Sequence, residues 1–119
     1  MLSRQVPTYA YEFADEKAPW ASDGSTPSFP TGAFHASELQ YLFGDSQFRT
    51  PLTASQQHLS DQMIKYWTSF AYTGDPNGGG APAWNRFAGN TVRSLRTGGV
   101  QRTDLAREHH CDFWKSLAR

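Results

Sequence analysis

The chain has 119 residues, with 11 Lys and Arg against 11 Asp and Glu, so it is at most one domain and has no formal net charge. A neutral chain has no electrostatic footprint for nucleic acid or an anionic membrane, and no apolar run is long enough to span a bilayer. A single cysteine, Cys111, excludes an internal disulfide and a cysteine-based zinc site. Met1–Pro7 has neither an apolar h-region nor a cleavage site, so no signal peptide is expected there, and nothing assigns a compartment. Hydrophobic content is only 38%, yet eight Phe, five Tyr and four Trp crowd into the elements. Bulky apolar faces with few strands to receive them indicate a piece of a larger fold.

Val6–Phe13 is the best strand candidate, because Tyr9, Tyr11 and Phe13 alternate with Ala10 and Glu12. Pro7 is tolerated at its start, where a missing ladder donor costs least. A long polar loop, Ala14–Ala33, follows and is interrupted by Trp20 and Phe29, with Phe34 just beyond it. Loops of this length are usually functional when ordered, so these aromatics either pin the loop down or face a substrate. A short helix is predicted over about Ser37–Phe43, ended by Gly44. Phe48, Pro51 and Leu52 lead to a longer helix over 54–73. Thr53 is its N-cap and Gln56 completes a capping box.

Leu59, Met63, Tyr66, Trp67, Phe70 and Ala71 of that helix share one face of a 3.6-residue period, and such a stripe reads as core. His58 reads as surface. Gly74 and Pro76 stop the helix. Asp75–Pro82 reads as a flexible turn; its glycines make no phosphate loop, since no Lys-Ser/Thr follows. Trp84 and Phe87 anchor a short extended segment. Val92–Leu95 is predicted as an edge strand closed by Gly98-Gly99, and about Thr103–Ala118 as a last helix capped by Thr103 or Asp104. On it Cys111, Trp114, Leu117 and Ala118 share a face. His109 and His110 point about 100° apart on a helix and cannot easily share one metal ion.

One stretch invites chemistry. Thr31–Gly44 sets His35 in a Gly-containing loop ahead of the short helix, with Glu38 three residues on. A histidine there can be exposed to a substrate and held in orientation by the nearby carboxylate. Most loop histidines do nothing chemical, and a general base needs geometry first.

Four stretches carry a resemblance: Gly-Ala-Phe-His-Ala-Ser-Glu-Leu-Gln-Tyr-Leu-Phe-Gly at 32–44, Tyr-Trp-Thr-Ser-Phe-Ala-Tyr-Thr-Gly-Asp-Pro-Asn at 66–77, Trp-Asn-Arg-Phe at 84–87 and His-Cys-Asp-Phe-Trp at 110–114. In this order and spacing, from Val6 to Leu117, the chain resembles the C-terminal part of a type-B carboxylesterase. That family includes cholinesterases and bacterial para-nitrobenzyl-type esterases. The resemblance implies an α/β class: residues 1–119 form the C-terminal portion of an α/β-hydrolase fold, incomplete as a domain, with one clear strand, an edge strand, a short helix and two longer helices. It implies a small carboxylic ester as substrate and no cofactor or metal. The triad in that fold runs Ser, Asp/Glu, His along the chain. His35 matches the family's catalytic histidine, which takes the serine proton and returns it to the leaving alcohol. Glu38 matches an acidic residue beside the active site, behind the triad or serving only the helix start. Trp20, Phe29 and Phe34 are the candidates for a pocket wall. Cys111 either pairs with a cysteine upstream in a longer parent or is a buried thiol.

No Gly-x-Ser-x-Gly occurs; Gly24-Ser25 and Asp45-Ser46 lack the second glycine and the strand-turn-helix context. The triad acid and most of a central sheet are also missing. One triad member cannot activate a serine the chain does not contain. The expected function is therefore a C-terminal segment of a serine ester hydrolase, inactive alone, whose partner is the missing N-terminal part of the same fold. The alternatives are a complementing half of a split esterase and a non-catalytic cholinesterase-like binding module.

Overall fold

A computed structural model describes residues 5–20, 27–44 and 50–118. In chain order it contains β1 (Tyr11–Phe13), α1 (Leu39–Leu42), α2 (Ala54–Thr73), β2 (Thr91–Leu95), β3 (Gln101–Asp104), α3 (Leu105–Glu108) and α4 (Cys111–Leu117). The strands form one mixed sheet in the order β1-β2-β3. β1 runs parallel to β2 with Tyr11 opposite Arg93 and Phe13 opposite Leu95. β2 runs antiparallel to β3 with Val92 opposite Thr103. A parallel pair needs a long crossover, and the segment carrying α1 and α2 supplies it.

The alternation in the first strand holds. Tyr9 meets Phe70, Tyr11 meets Trp67 and Phe13 meets Tyr41, so these side chains lie on the sheet face covered by α1 and α2. Glu12 points to the other face, where its carboxyl contacts the His109 ring at the end of α3. Regular pairing is shorter than Val6–Phe13, because the facing segment 84–90 turns before β2 begins. Single backbone bonds continue the contact: Phe87 N–H donates to Thr8 C=O at 2.7 Å and Ala14 N–H to Leu95 C=O at 2.8 Å.

α2 follows its sequence signals. The Thr53 side chain accepts from Gln56 N–H, and the Gln56 side chain accepts from Thr53 N–H at 2.9 Å. Gly74 closes the helix with φ +75°, where a Cβ would be strained. Leu59, Met63 and Tyr66 are buried, joined by Tyr41, Trp84, Leu95 and Ala18 in one core. Trp67 is half-buried and Phe70 is 48% exposed, so the apolar stripe outruns its cover. His58 is at the surface.

Three expectations are corrected. Val92–Leu95 is the centre of the sheet, not its edge. Gly98-Gly99, with φ +88° and +118°, is a hairpin turn into β3. Gln-Arg-Thr-Asp has no apolar alternation, which hid that strand. The expected helix over Thr103–Ala118 is two helices preceded by strand. Asp104 does cap α3, accepting from Arg107 N–H at 3.1 Å. The helix then breaks at His110, which sits at φ +50°, while the His109 ring is held on β1. The turn after α2 is braced rather than flexible. Asp75 accepts from Asn77 N–H at 2.9 Å, and Asn77 exchanges two hydrogen bonds with the Trp84 backbone. Those Asn77 donors hold the Asp75 carboxyl below its ordinary range.

Candidate active site around His35

His35 lies in a tight turn over residues 34–37. The Phe34 carbonyl accepts twice from Ser37, from its N–H at 3.1 Å and from its hydroxyl at 2.7 Å. Ala36, the third residue of the turn, has φ +66°, a position that favours glycine. Holding alanine there costs about 1–2 kcal/mol. The turn is also anchored from outside. The buried Gln40 amide donates to Pro19 C=O at 3.0 Å and to Ser37 C=O at 3.4 Å. The Trp20 and Phe34 rings pack at 4.5 Å. His35 itself is exposed, on a turn whose neighbours on both sides are fixed.

Glu38 is half-buried at the N-cap of the short helix, and its side chain makes no capping bond. No ion pair joins it to His35 among the described residues. Its charge is felt instead at Tyr11, whose hydroxyl is raised first by burial and second by Glu38. The positive φ at Ala36 separates the histidine turn from the helix, so the i, i+3 spacing does not act as it would within one helix. Of the pocket-wall candidates, Trp20 and Phe34 are together. Phe29 is 66% exposed. A cleft of about 330 Å³ opens elsewhere, between the segment entering β1 and α2, lined by Tyr9, Tyr11, Tyr66, Trp67, Phe70 and Trp84. Gly24-Ser25 and Asp45-Ser46 lie outside the described residues, as does Phe48.

Sequence reading missed the buried polar frame around the loop that packs beside this turn. Asp15, 2% exposed, accepts from Tyr41 hydroxyl at 2.5 Å, Gln56 amide at 3.3 Å, Lys17 N–H at 3.2 Å and Thr97 hydroxyl at 3.4 Å. The carboxyl thereby ties the Trp20 loop to α1, α2 and the end of β2. Burial, then the hydrogen bond to Asp15, drives the Tyr41 hydroxyl far above the usual phenol range. An aspartate in a polar loop gives no sequence signal of this. Gln40 gives a weak one, a polar residue between Leu39 and Tyr41 in an apolar run.

An exposed imidazole on a braced turn can exchange a proton with a hydroxyl brought against it. The parallel pair with its helical crossover, the helices on opposite faces and the histidine loop after β1 define part of an α/β-hydrolase fold. The family model described as "Carboxylesterase family" matches residues 1–114, and the chain belongs to that family. It is 34% identical over 112 residues to carboxylesterase 4A of Bos taurus, covering 93% of this chain and 20% of that protein. It is 33% identical over 112 residues to the medium-chain fatty acyl-CoA hydrolase precursor of Anas platyrhynchos, covering 93% and 19%. Among solved structures it matches a thermophilic PNB esterase with TM-score 0.66 and 23% identity, over 91% of this chain and 22% of that one. The chain thus spans about a fifth of the length of these relatives.

Proposed function

We propose that residues 1–119 are the C-terminal segment of a serine carboxylic-ester hydrolase domain and that His35 is its general acid/base. One observation carries this reading: in a chain of the carboxylesterase family, the histidine of the 32–44 motif is exposed on a turn closed by two hydrogen bonds from Ser37 to the Phe34 carbonyl. The serine nucleophile and triad acid then come from the remainder of the fold, which is this segment's partner and completes the site for a small carboxylic ester. Glu38 is the acidic residue beside the site or serves only the helix start, and Trp20 and Phe34, with Phe29, contribute to the pocket wall. Alone, the segment is inactive. The exposed aromatic side of α2 beside β1 supports a larger fold around it.

The test is reconstitution. The chain assembled with the remainder of the fold, as one polypeptide or as two, is expected to hydrolyse a p-nitrophenyl ester, and the chain alone is not. His35→Ala should lower kcat by roughly 10⁴-fold or more. A reconstituted activity that survives His35→Ala removes His35 from the mechanism.

A further inference from the structure

We propose that Ser37 is a positioning residue for His35. The proposal rests on the reading of His35 as general acid/base and adds how its direction is set. Ser37 is 1% exposed, so its hydroxyl is shielded from bulk water. That hydroxyl is committed at 2.7 Å to the carbonyl of Phe34, the residue immediately before His35. The same carbonyl already has a backbone partner in Ser37 N–H at 3.1 Å. The hydroxyl is therefore not required to satisfy a buried acceptor; it adds angular restraint to a turn that is already closed. The restraint is needed because Ala36 is held at φ +66°, a conformation that alanine leaves when the surroundings permit. Relaxation at Ala36 would swing the peptide that joins it to His35, and the imidazole with it. On its far side Ser37 is fixed in turn, since its own carbonyl receives the Gln40 amide at 3.4 Å.

The device has a testable signature, a coupling between Ser37 and the strain at Ala36. In the enzyme assembled from this chain and the remainder of the fold, kcat is measured per active site, counted with a serine-directed phosphonate run to completion. Ser37→Ala is expected to lower kcat on the order of 10–100-fold, the cost of a misplaced catalytic group, with KM changed less than about threefold. In the Ala36→Gly background positive φ is natural, and the same Ser37→Ala loss should shrink below about threefold. An unchanged kcat in Ser37→Ala, or an equal loss in both backgrounds, overturns the proposal. Should Ser37→Ala yield no titratable sites, the double variant is compared with Ala36→Gly alone, and a loss of about tenfold or more overturns it. His35→Ala is run alongside. If it abolishes activity while Ser37→Ala does not, only the positioning role falls; if it does not, the reading of His35 falls.

Discussion

At the scale of single residues, one buried carboxylate ties the loop that precedes the histidine turn to both α1 and α2. Asp15 is the hub, with the Tyr41 hydroxyl and the Gln56 amide converging on one carboxyl oxygen. Asp15→Ala leaves those donors buried without that acceptor, and each such loss costs about 1–3 kcal/mol. Urea unfolding of the assembled protein should show a loss of about 3 kcal/mol. Asp15→Asn should cost less, because its amide oxygen still accepts. The buried phenols set the alkaline limit. Tyr41 is raised by burial and by its bond to Asp15, and Tyr66 by burial against an opposing effect from Arg93. A folded-state pKa above the unfolded value means that this stability is intact below the unfolded pKa of about 10 and is lost as pH rises toward the folded value. Stability should therefore be insensitive to these groups at neutral pH and fall above pH of about 10. Tyr41→Phe or Tyr66→Phe should flatten the fall, read from unfolding curves alongside phenolate absorbance.

At the scale of elements, α2 shows how one side chain serves two structures. Gln56 accepts from Thr53 N–H through its oxygen, as a capping box requires. Its amide nitrogen donates to Lys17 C=O at 2.9 Å and to Asp15. Glutamate would complete the box equally well but cannot donate, and its charge would face Asp15. Thr53→Ala is expected to cost about 1 kcal/mol. Gln56→Glu should cost more, about 2–3 kcal/mol, although it keeps the box. Both are measured by chemical denaturation, and equal losses would show that only the cap matters. The break between α3 and α4 has the opposite character. A left-handed His110 and the His109–Glu12 contact redirect a chain whose apolar spacing alone suits one helix.

At the scale of the molecule, the surface exceeds what a closed domain shows. The chain exposes 8418 Å², against about 6,500 Å² for a compact protein of its mass. Its radius of gyration is 15.9 Å, against about 13.5 Å for a compact domain of this length. Phe113, Trp114 and Leu117 on α4 are 57–63% exposed, and Tyr72 at the end of α2 is 90% exposed. Apolar surface of this kind is normally covered. The isolated chain is expected to self-associate in size-exclusion chromatography and to bind a hydrophobic dye. A monomer that unfolds cooperatively would contradict the incomplete-fold reading.

Local features were legible along the chain. The caps, stop and core face of α2 follow from 3.6-residue spacing and two terminal residues, and the facing of Tyr9, Tyr11 and Phe13 follows from strand period. Both are encoded by neighbours along the chain. Four motifs in order were enough to indicate the carboxylesterase family. The central place of β2 emerges from strand pairing in the folded chain, because β3 carries no apolar pattern and pairs through backbone groups common to every residue. Only the structure could place Asp15, Gln40 and Gln56 in one buried frame, since their partners lie many residues away in sequence. The same limit applies at His35: its motif is local and legible, whereas the bonds that brace its turn depend on a strained Ala36, a buried Ser37 and a loop that returns beside them.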